Sequence, residues 1–443
     1  MRHTLKKEQR LVVRAEALDE EGRGVATYEG VELVVSGIYP GEAAEIAIEA
    51  LSRHHPRGFG RLIRLIEPHS ARRLSPCPSD RSRGGGCTGC PLLALGVEAQ
   101  HEAHRRSLKI RYGLELGEIL QANDAGYRMA SKRIAFDTRE GIEFGSFRRG
   151  TNRPAVMTGC IVESPLIVRA IDELREKARA LGISSRSING RAGINAIWLK
   201  TDGEGLLLTL IGDDLHDARI EALARSLEMS RGVFYSRRDP AGNALRGETP
   251  VRLAGASFLD TELFGIHQHL GPLGFLQPNP AAARLAYDKL LEGIEGGALA
   301  FDLYAGAGLI TEKLRERFKE VIPCESFEES ARALGVAPLR AQDFLSQAIA
   351  NHRKPDLIVA NPPRSGLGVE PSKALVALAP KELRIMSCSA KSFARDRTIL
   401  NEGFELIELT GVDTLPHTGH LELVARFRRK ESQRDEEGRP NSG

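Results

Sequence analysis

With 443 residues, 41% of them hydrophobic and 27% charged, the chain has the composition of a folded globular protein with room for about three domains. No apolar run is long enough to span a bilayer, and the charged start MRHTLKKEQR has no apolar segment behind it, so no membrane association, no secretory signal and a cytoplasmic location are expected. The net charge of +3 argues against a general polyanion-coating protein but leaves room for local basic patches, and six cysteines in a reducing compartment do not suggest a disulfide framework.

Residues 1–67 read as short strands at roughly ten-residue spacing, Leu11–Ala15, Gly24–Tyr28, Val31–Val35 and Ala44–Ile48, which predicts a small β-barrel. Its last strand and exit form a basic run, residues 52–73, with Arg53, Arg57, Arg61, Arg64, Arg72 and Arg73 against a single Glu. Such a run is commonly a solvated face; on a compact barrel it is also the physical form of an RNA-binding module. Residues 68–273 mix helical stretches (Gln100–Leu116, Leu166–Leu181) with strands (Ala196–Lys200, Leu206–Ile211), as in an α+β domain.

Within that stretch Cys87-Thr-Gly-Cys90 is a CxxC on a glycine turn, with Cys77 ten positions before it and Cys160 in Met157-Thr-Gly-Cys160. Four thiolates could hold zinc or an iron-sulfur cluster; a redox pair is the bland alternative.

From residue 274 to 429 strands alternate with helices, with strands expected near 299, 321, 340, 357 and 384, which is the pattern of a doubly wound sheet carrying its ligand beyond the strand ends. The stretch Ala298–Leu314 reads as strand, glycine turn and helix. Position 311 is Thr where a dinucleotide fingerprint has Gly, so Asp302-x-x-x-Gly306-x-Gly308 fits the first loop of a class I S-adenosylmethionine (SAM) methyltransferase better. Glu325 ends the next strand, placed to take ribose hydroxyls, and Asp343 is a candidate third-strand acid. Cys388 ends the strand near 384 and precedes a polar SAKSFARD turn, a placement for a nucleophile, whereas Cys324 reads as packing. The tail, 430–443, is polar and expected to be disordered.

Three motifs in the last third, ANPPRSGLG, MSCSAKSFARD and PHTGHLE, following FLQPNP and the glycine loop, closely resemble the RNA uracil-5-methyltransferases that make 5-methyluridine in bacterial ribosomal and transfer RNA. The resemblance implies a multidomain α/β chain: an OB-like TRAM barrel that binds RNA, a central α+β domain with a four-cysteine site, and a C-terminal Rossmann-like methyltransferase domain. It further implies Cys388 as nucleophile and Glu422 as base, Gln277, Tyr304, Glu325 and Asn361 as SAM contacts, and Cys77, Cys87, Cys90 and Cys160 as ligands of a 4Fe-4S cluster. Asn361 stands where Asp is common, Leu309 where some members have Asn, and the run from Cys77 to Cys87 is longer than the family pattern.

The chemistry asks for these residue types independently. Uracil C5 is too weak a nucleophile to take a methyl group, so a thiolate adds at C6; a base then removes the C5 proton and the thiolate is expelled. Arg364, Arg395 or the SAM cation could favour the thiolate. The expected partner is RNA, 23S rRNA foremost and tRNA as the alternative, and the protein is expected to be a monomer. Amino-group methyltransferases share Asn-Pro-Pro but have no use for Cys388; a non-catalytic RNA-binding protein is the reading from a different class.

Overall fold

The structure, a computed structural model, describes residues 5–80, 83, 85–187, 192–213, 217–238, 247–263, 265–274 and 276–430; the expected disordered tail lies, beyond Lys430, outside them. Strands β1 (Arg10–Arg14), β2 (Ala17–Leu18), β3 (Gly24–Tyr28), β4 (Val31–Val35), β5 (Ala43–Leu51) and β6 (Arg57–Glu67) form one sheet in the order β1-β5-β6-β4-β3-β2. β1 and β2 follow one another along the chain, so pairing of β1 with β5 and of β2 with β3 curls the sheet back around a core that includes Leu33, Ile38, Ile46 and Ile48. Alternation dictates this, since inward Leu11 and Val13 are buried while Val12 is exposed.

Next come α1 (Val97–Tyr112) and β7 (Ile119–Gln121), then the central sheet of β8 (Ala130–Thr138), β9 (Gly141–Phe147), β10 (Pro154–Val156), β11 (Ile194–Thr201), β12 (Leu206–Gly212), β13 (Gly232–Arg237) and β14 (Val251–Gly255), ordered β10-β9-β8-β11-β12-β13-β14. Helices α2 (Pro165–Ala180) and α3 (Ala218–Ser226) cover it through Ile167, Ile171, Leu174, Ile220 and Leu223. Ser164 caps α2 and Asp217 caps α3, each accepting a first-turn N–H. A hairpin, β15 (Leu259–Leu263) with β16 (Ile266–Leu270), follows.

The C-terminal part contains α4 (Pro280–Leu291), β17 (Gly297–Leu303), α5 (Leu309–Arg315), β18 (Phe318–Cys324), α6 (Glu328–Ala333), α7 (Ala341–Ala350), β19 (Leu357–Ala360), α8 (Val369–Leu378), β20 (Glu382–Ser387), α9 (Ala390–Leu400), β21 (Phe404–Asp413) and β22 (Glu422–Arg429). Its sheet runs β18-β17-β19-β20-β22-β21-β7. Strands β18, β17, β19 and β20 are parallel, and β22 is antiparallel to both β20 and β21. Side-chain alternation divides the strands between two cores. Leu299, Phe301 and Leu303 pack with α7, α8 and α9, while Ala300, Leu357 and Val359 pack with α4 and α5.

Three expectations are corrected. The strand near 340 is absent: 341–350 is helix α7, because Ala341, Leu345 and Ala348 recur at helical spacing and bury one face, and Asp343 lies in its first turn paired with Arg340 at 2.8 Å. The SAKSFARD segment is the first part of α9, capped by Ser389, not a turn. Residues 97–121, expected in the central domain, join the C-terminal sheet: β7 pairs with β21, and Leu108 and Leu114 enter the core of α7–α9. Among the described residues, no helix is long and apolar enough to cross a membrane.

Phe427 is fully buried and rests 6.2 Å from the Phe393 ring. Phe427→Ala is expected to cost about 3–5 kcal/mol, visible as a fall in the urea midpoint of the C-terminal unit.

Candidate functional site

The parallel register sets a row of side chains along one sheet edge. Leu303 is paired with both Cys324 and Ala360, so the residues that follow, Tyr304, Glu325 and Asn361, leave the sheet side by side at its carboxyl edge, where open α/β sheets hold ligands. Tyr304 turns out of β17 with φ +60°, and Gly306 and Gly308 complete the turn in left-handed conformations that favour glycine. Glu325 is held by backbone: Oε2 accepts the Gly306 N–H at 2.9 Å and Oε1 accepts those of Ser326 and Phe327 at 2.7 Å. Asp302 is wholly buried and accepts the Thr311 hydroxyl at 2.5 Å; burial pushes its carboxyl up to about 7 against that hydrogen bond. Among the described residues its other oxygen, Oδ1, has no hydrogen-bond partner. Thr311, the residue that broke the dinucleotide pattern, is thus the partner of the Asp302 carboxyl. Gln277 hydrogen-bonds Tyr287 on α4, and the neighbouring Pro278 carbonyl accepts the Met129 N–H at 2.8 Å, anchoring this linker on the central sheet.

Cys388 and Glu422 come together through the reversed strand. β20 and β22 are antiparallel with Ser387 opposite Leu423, so the register, continued one step outward, brings Cys388 opposite Glu422, whose charge acts on the thiol. Cys388 is half-buried; burial raises its thiol pKa, Glu422 adds to the rise, and a hydrogen bond and charge from Arg364 oppose it. Burial likewise pushes Glu422 up to about 7, again opposed by Arg364. Of the candidate cations, Arg364 therefore faces both groups. Arg395 instead pairs with Asp396 at 2.7 Å and donates to the Ser365 carbonyl. Buried Asp396 also accepts the Leu367 N–H at 2.7 Å, and Ser392 donates to the Arg364 carbonyl at 2.8 Å, so α9 holds the Arg364 loop in place. Read as a turn, the segment gives Asp396 and Ser392 no role; the Ser389 cap followed by helical spacing is the signal that points to them.

A cavity of about 630 Å³ opens on Cys388, walled by Arg364, Lys391, Ser392 and Arg395 on one side and by Asp19, Glu20, His104, Ser107 and Tyr112 on the other. The β2–β3 loop reaches this wall because a Cβ at Gly419 would collide with the Gly22 amide; two glycines let the N-terminal sheet touch the 414–421 loop through backbone.

The four expected ligand cysteines lie in one neighbourhood. Cys87 N–H donates to the Ser79 carbonyl at 3.0 Å, and Ser79 exchanges hydrogen bonds of 2.8 and 2.9 Å with Thr158, tying the Cys77–Cys87 loop to the Cys160 turn. Burial raises the Cys90 thiol, and Cys160, Cys87 and Cys77 add to the rise in that order. All are free thiols. Among the described residues, no group of three or more His, Cys, Asp or Glu converges as the ligands of one ion would.

The basic run is not a bare cationic stripe. Arg57 pairs with Glu32 at 3.1 Å, Arg61 with Glu49 at 3.5 Å, Arg64 with Glu45 at 2.8 Å and Arg72 with Glu42 at 2.8 Å. The antiparallel register of β5 and β6 sets Glu45 directly opposite Arg64.

If Arg364 is what opposes burial at the thiol, Arg364→Met is expected to move the pH midpoint of Cys388 alkylation upward, because burial and Glu422 then act unopposed. Iodoacetamide labelling followed by peptide mass spectrometry over a pH series measures it; an unmoved midpoint would remove Arg364 from this role.

No family model matches the chain. It is 28% identical over 442 residues to a 23S rRNA (uracil(1939)-C(5))-methyltransferase of Edwardsiella ictaluri, covering 94% of this chain and 95% of that one. A Geobacter sulfurreducens protein named an uncharacterized RNA methyltransferase is 25% identical, covering 96% and 92%. The crystal structure of a Pyrococcus abyssi tRNA (uracil-54, C5)-methyltransferase with S-adenosyl-L-homocysteine matches with TM-score 0.70 and 23% identity over 95% of this chain and 100% of that one, a likeness of fold. Over more than nine-tenths of its length the chain is thus similar to proteins named RNA methyltransferases, one of them a uracil-C5 enzyme, in keeping with the resemblance that its C-terminal motifs carry.

Proposed function

We propose that this protein transfers a methyl group from SAM to C5 of a uridine in RNA, with 23S rRNA the favoured target and tRNA the alternative. The observation that carries the reading is the facing of Cys388 and Glu422 across the β20–β22 pair, with Cys388 in the wall of a cavity beside the ligand edge of the sheet. Asn361, Tyr304, Glu325 and Gln277 would hold SAM, with Glu325 toward the ribose; the row they form and the glycine turn suit a nucleoside lying against backbone. SAM supplies an electrophilic methyl group on a sulfonium.

The protein's residues do the rest. The Cys388 thiolate adds to C6 of the base, and the C5=C6 electron pair moves into an enolate that makes C5 nucleophilic toward the methyl group. Glu422, as carboxylate, then takes the proton remaining on C5; the electron pair re-forms C5=C6 and expels Cys388 as thiolate. Arg364 faces both groups and favours the charged form of each. Because C6 is covered in a stacked helix, the uridine enters the cavity flipped out or single-stranded. The N-terminal sheet corresponds to the TRAM module of the resemblance and walls that cavity with Asp19 and Glu20.

Cys77, Cys87, Cys90 and Cys160 would hold a 4Fe-4S cluster. The donor set is all sulfur, and Cys77, Cys87 and Cys160 all act on the Cys90 thiol, the donor type that ligates iron-sulfur clusters. Ligation would reverse the raised thiol pKa, since coordinating sulfur is deprotonated. Cys90→Ser is expected to lose the iron and visible absorbance of protein purified without air; retention of both would remove Cys90 from the ligand set.

Nucleosides from ribosomal and transfer RNA, separated by size, test the function by mass spectrometry of a deletion strain against its parent. Loss of 5-methyluridine from one fraction is expected, restored by the wild-type gene and not by Cys388→Ala. No change in either fraction would sink the reading. In vitro, Glu422→Gln should stall after methyl transfer and leave a denaturant-stable protein–RNA adduct.

A further inference from the structure

Helix α1 buries a face made largely of polar side chains: Gln100, His101, His104 and Ser107 are each at most 6% exposed. Buried polar groups are costly unless paired, so a helix that served packing alone would carry aliphatic residues here. Their partners fall into two sets. The Ser107 hydroxyl accepts the Leu18 N–H at 2.7 Å, fixing β2 at the cavity wall. The other residues face the strand end and loop that lead into Glu422. His101 Nε2 stands 3.4 Å from Asp413 Oδ2, and the His104 ring bonds the Thr418 main chain.

Gln100 makes the most complete set of contacts. Its Oε1 accepts the His417 main-chain N–H at 3.1 Å, and its Nε2 donates to the Leu95 carbonyl at 2.9 Å and lies 3.0 Å from His417 Nδ1. An amide nitrogen only donates, so His417 Nδ1 is the acceptor. The proton is then on Nε2, which donates to the Asp124 carbonyl at 2.9 Å. His417 is itself a left-handed residue with φ +70°, a conformation costly for a side chain with a Cβ. The Leu92 N–H donates to its carbonyl at 3.0 Å, and the Tyr127 hydroxyl donates to the Pro416 carbonyl at 3.1 Å. The loop is therefore gripped at its strained turn, five residues before Glu422.

We propose that Gln100, through His417, is a positioning residue that holds the 414–421 loop so that Glu422 faces the adduct on Cys388. This rests on the catalytic reading above. Its signature is step-specific: Cys388 is placed by β20 whereas Glu422 follows directly on the loop, so a displaced loop impairs proton removal more than thiolate addition or methyl transfer.

The test compares wild type, Glu422→Gln and Gln100→Leu, which removes the amide's hydrogen bonds at similar volume, with SAM and ordinary uridine-containing target RNA. Gln100→Leu is expected to accumulate the denaturant-stable protein–RNA adduct, with kcat falling on the order of 100-fold, as ångström-scale misplacement costs, and KM for SAM held within about twofold. Gln100→Glu, which keeps the acceptor for the His417 N–H, should fall between wild type and Gln100→Leu. Methyl transfer and product release falling together without adduct, or neither falling, would overturn the positioning role. An absent adduct in Glu422→Gln as well would instead sink the assignment of the base. Should Gln100→Leu not fold, His417→Gly keeps the left-handed turn without the ring and is read the same way; loss of the fold in both would show that the stripe holds the fold rather than the base.

Discussion

The antiparallel pairing of β22 against β20 is the constraint on which the candidate site rests. In a wholly parallel sheet every strand would bring only its carboxyl end to the ligand edge. Inserting one reversed strand brings an amino end to that edge, so a residue that starts a strand can face one that ends its neighbour. Glu422 and Cys388 are such a pair. Their closeness follows from the β20–β22 register, both lying one pair beyond its last residues, while Glu422 is also held by pairing with Val412 of β21 and by the loop that leads into it.

The same burial that brings these groups together makes both reluctant to ionise, and one guanidinium faces the two of them. A site with two prospective anions and one cation is close to balanced when the thiol stays protonated, and a positively charged ligand beside it would tip the balance toward thiolate. The Arg364 loop is correspondingly over-determined, with Asp396, Ser392 and the glycine at 366 fitting it against α9.

Much of this could be read from the residues. Short runs between turn residues located β3 and β4 to the residue, the glycine turn located β17 and α5, and Cys388, Asn361 and Glu325 emerged at strand ends because short apolar runs stop there. What was not legible depended on partners distant in sequence. Nothing within residues 119–121 says that they pair with a strand near 411, and the helical pattern over Gln100–Leu116 does not reveal that the buried face carries Gln, His and Ser. The run at 340 contained too few residues to separate a strand from a helix until Leu345 and Ala348 were seen to share one face. The arginines of β6 were visible as a charge run, but the glutamates that meet them sit on neighbouring strands, and only register reveals the pairing.

The pairing of β7 with β21 also has a consequence for the chain as it is made. Residues 97–121 leave the ribosome almost three hundred positions ahead of Phe404–Asp413, the strand beside which they come to rest. Until that strand arrives, Leu108 and Leu114 have no core and β7 has an open edge, which is the kind of surface that recruits chaperones or neighbouring chains. The closure is non-local and therefore slow, and it completes the ligand-bearing sheet and the helix behind it in one late event. A newborn chain thus has its nucleophile strand before it has a framework for its base, and gains the full site only when its two ends meet.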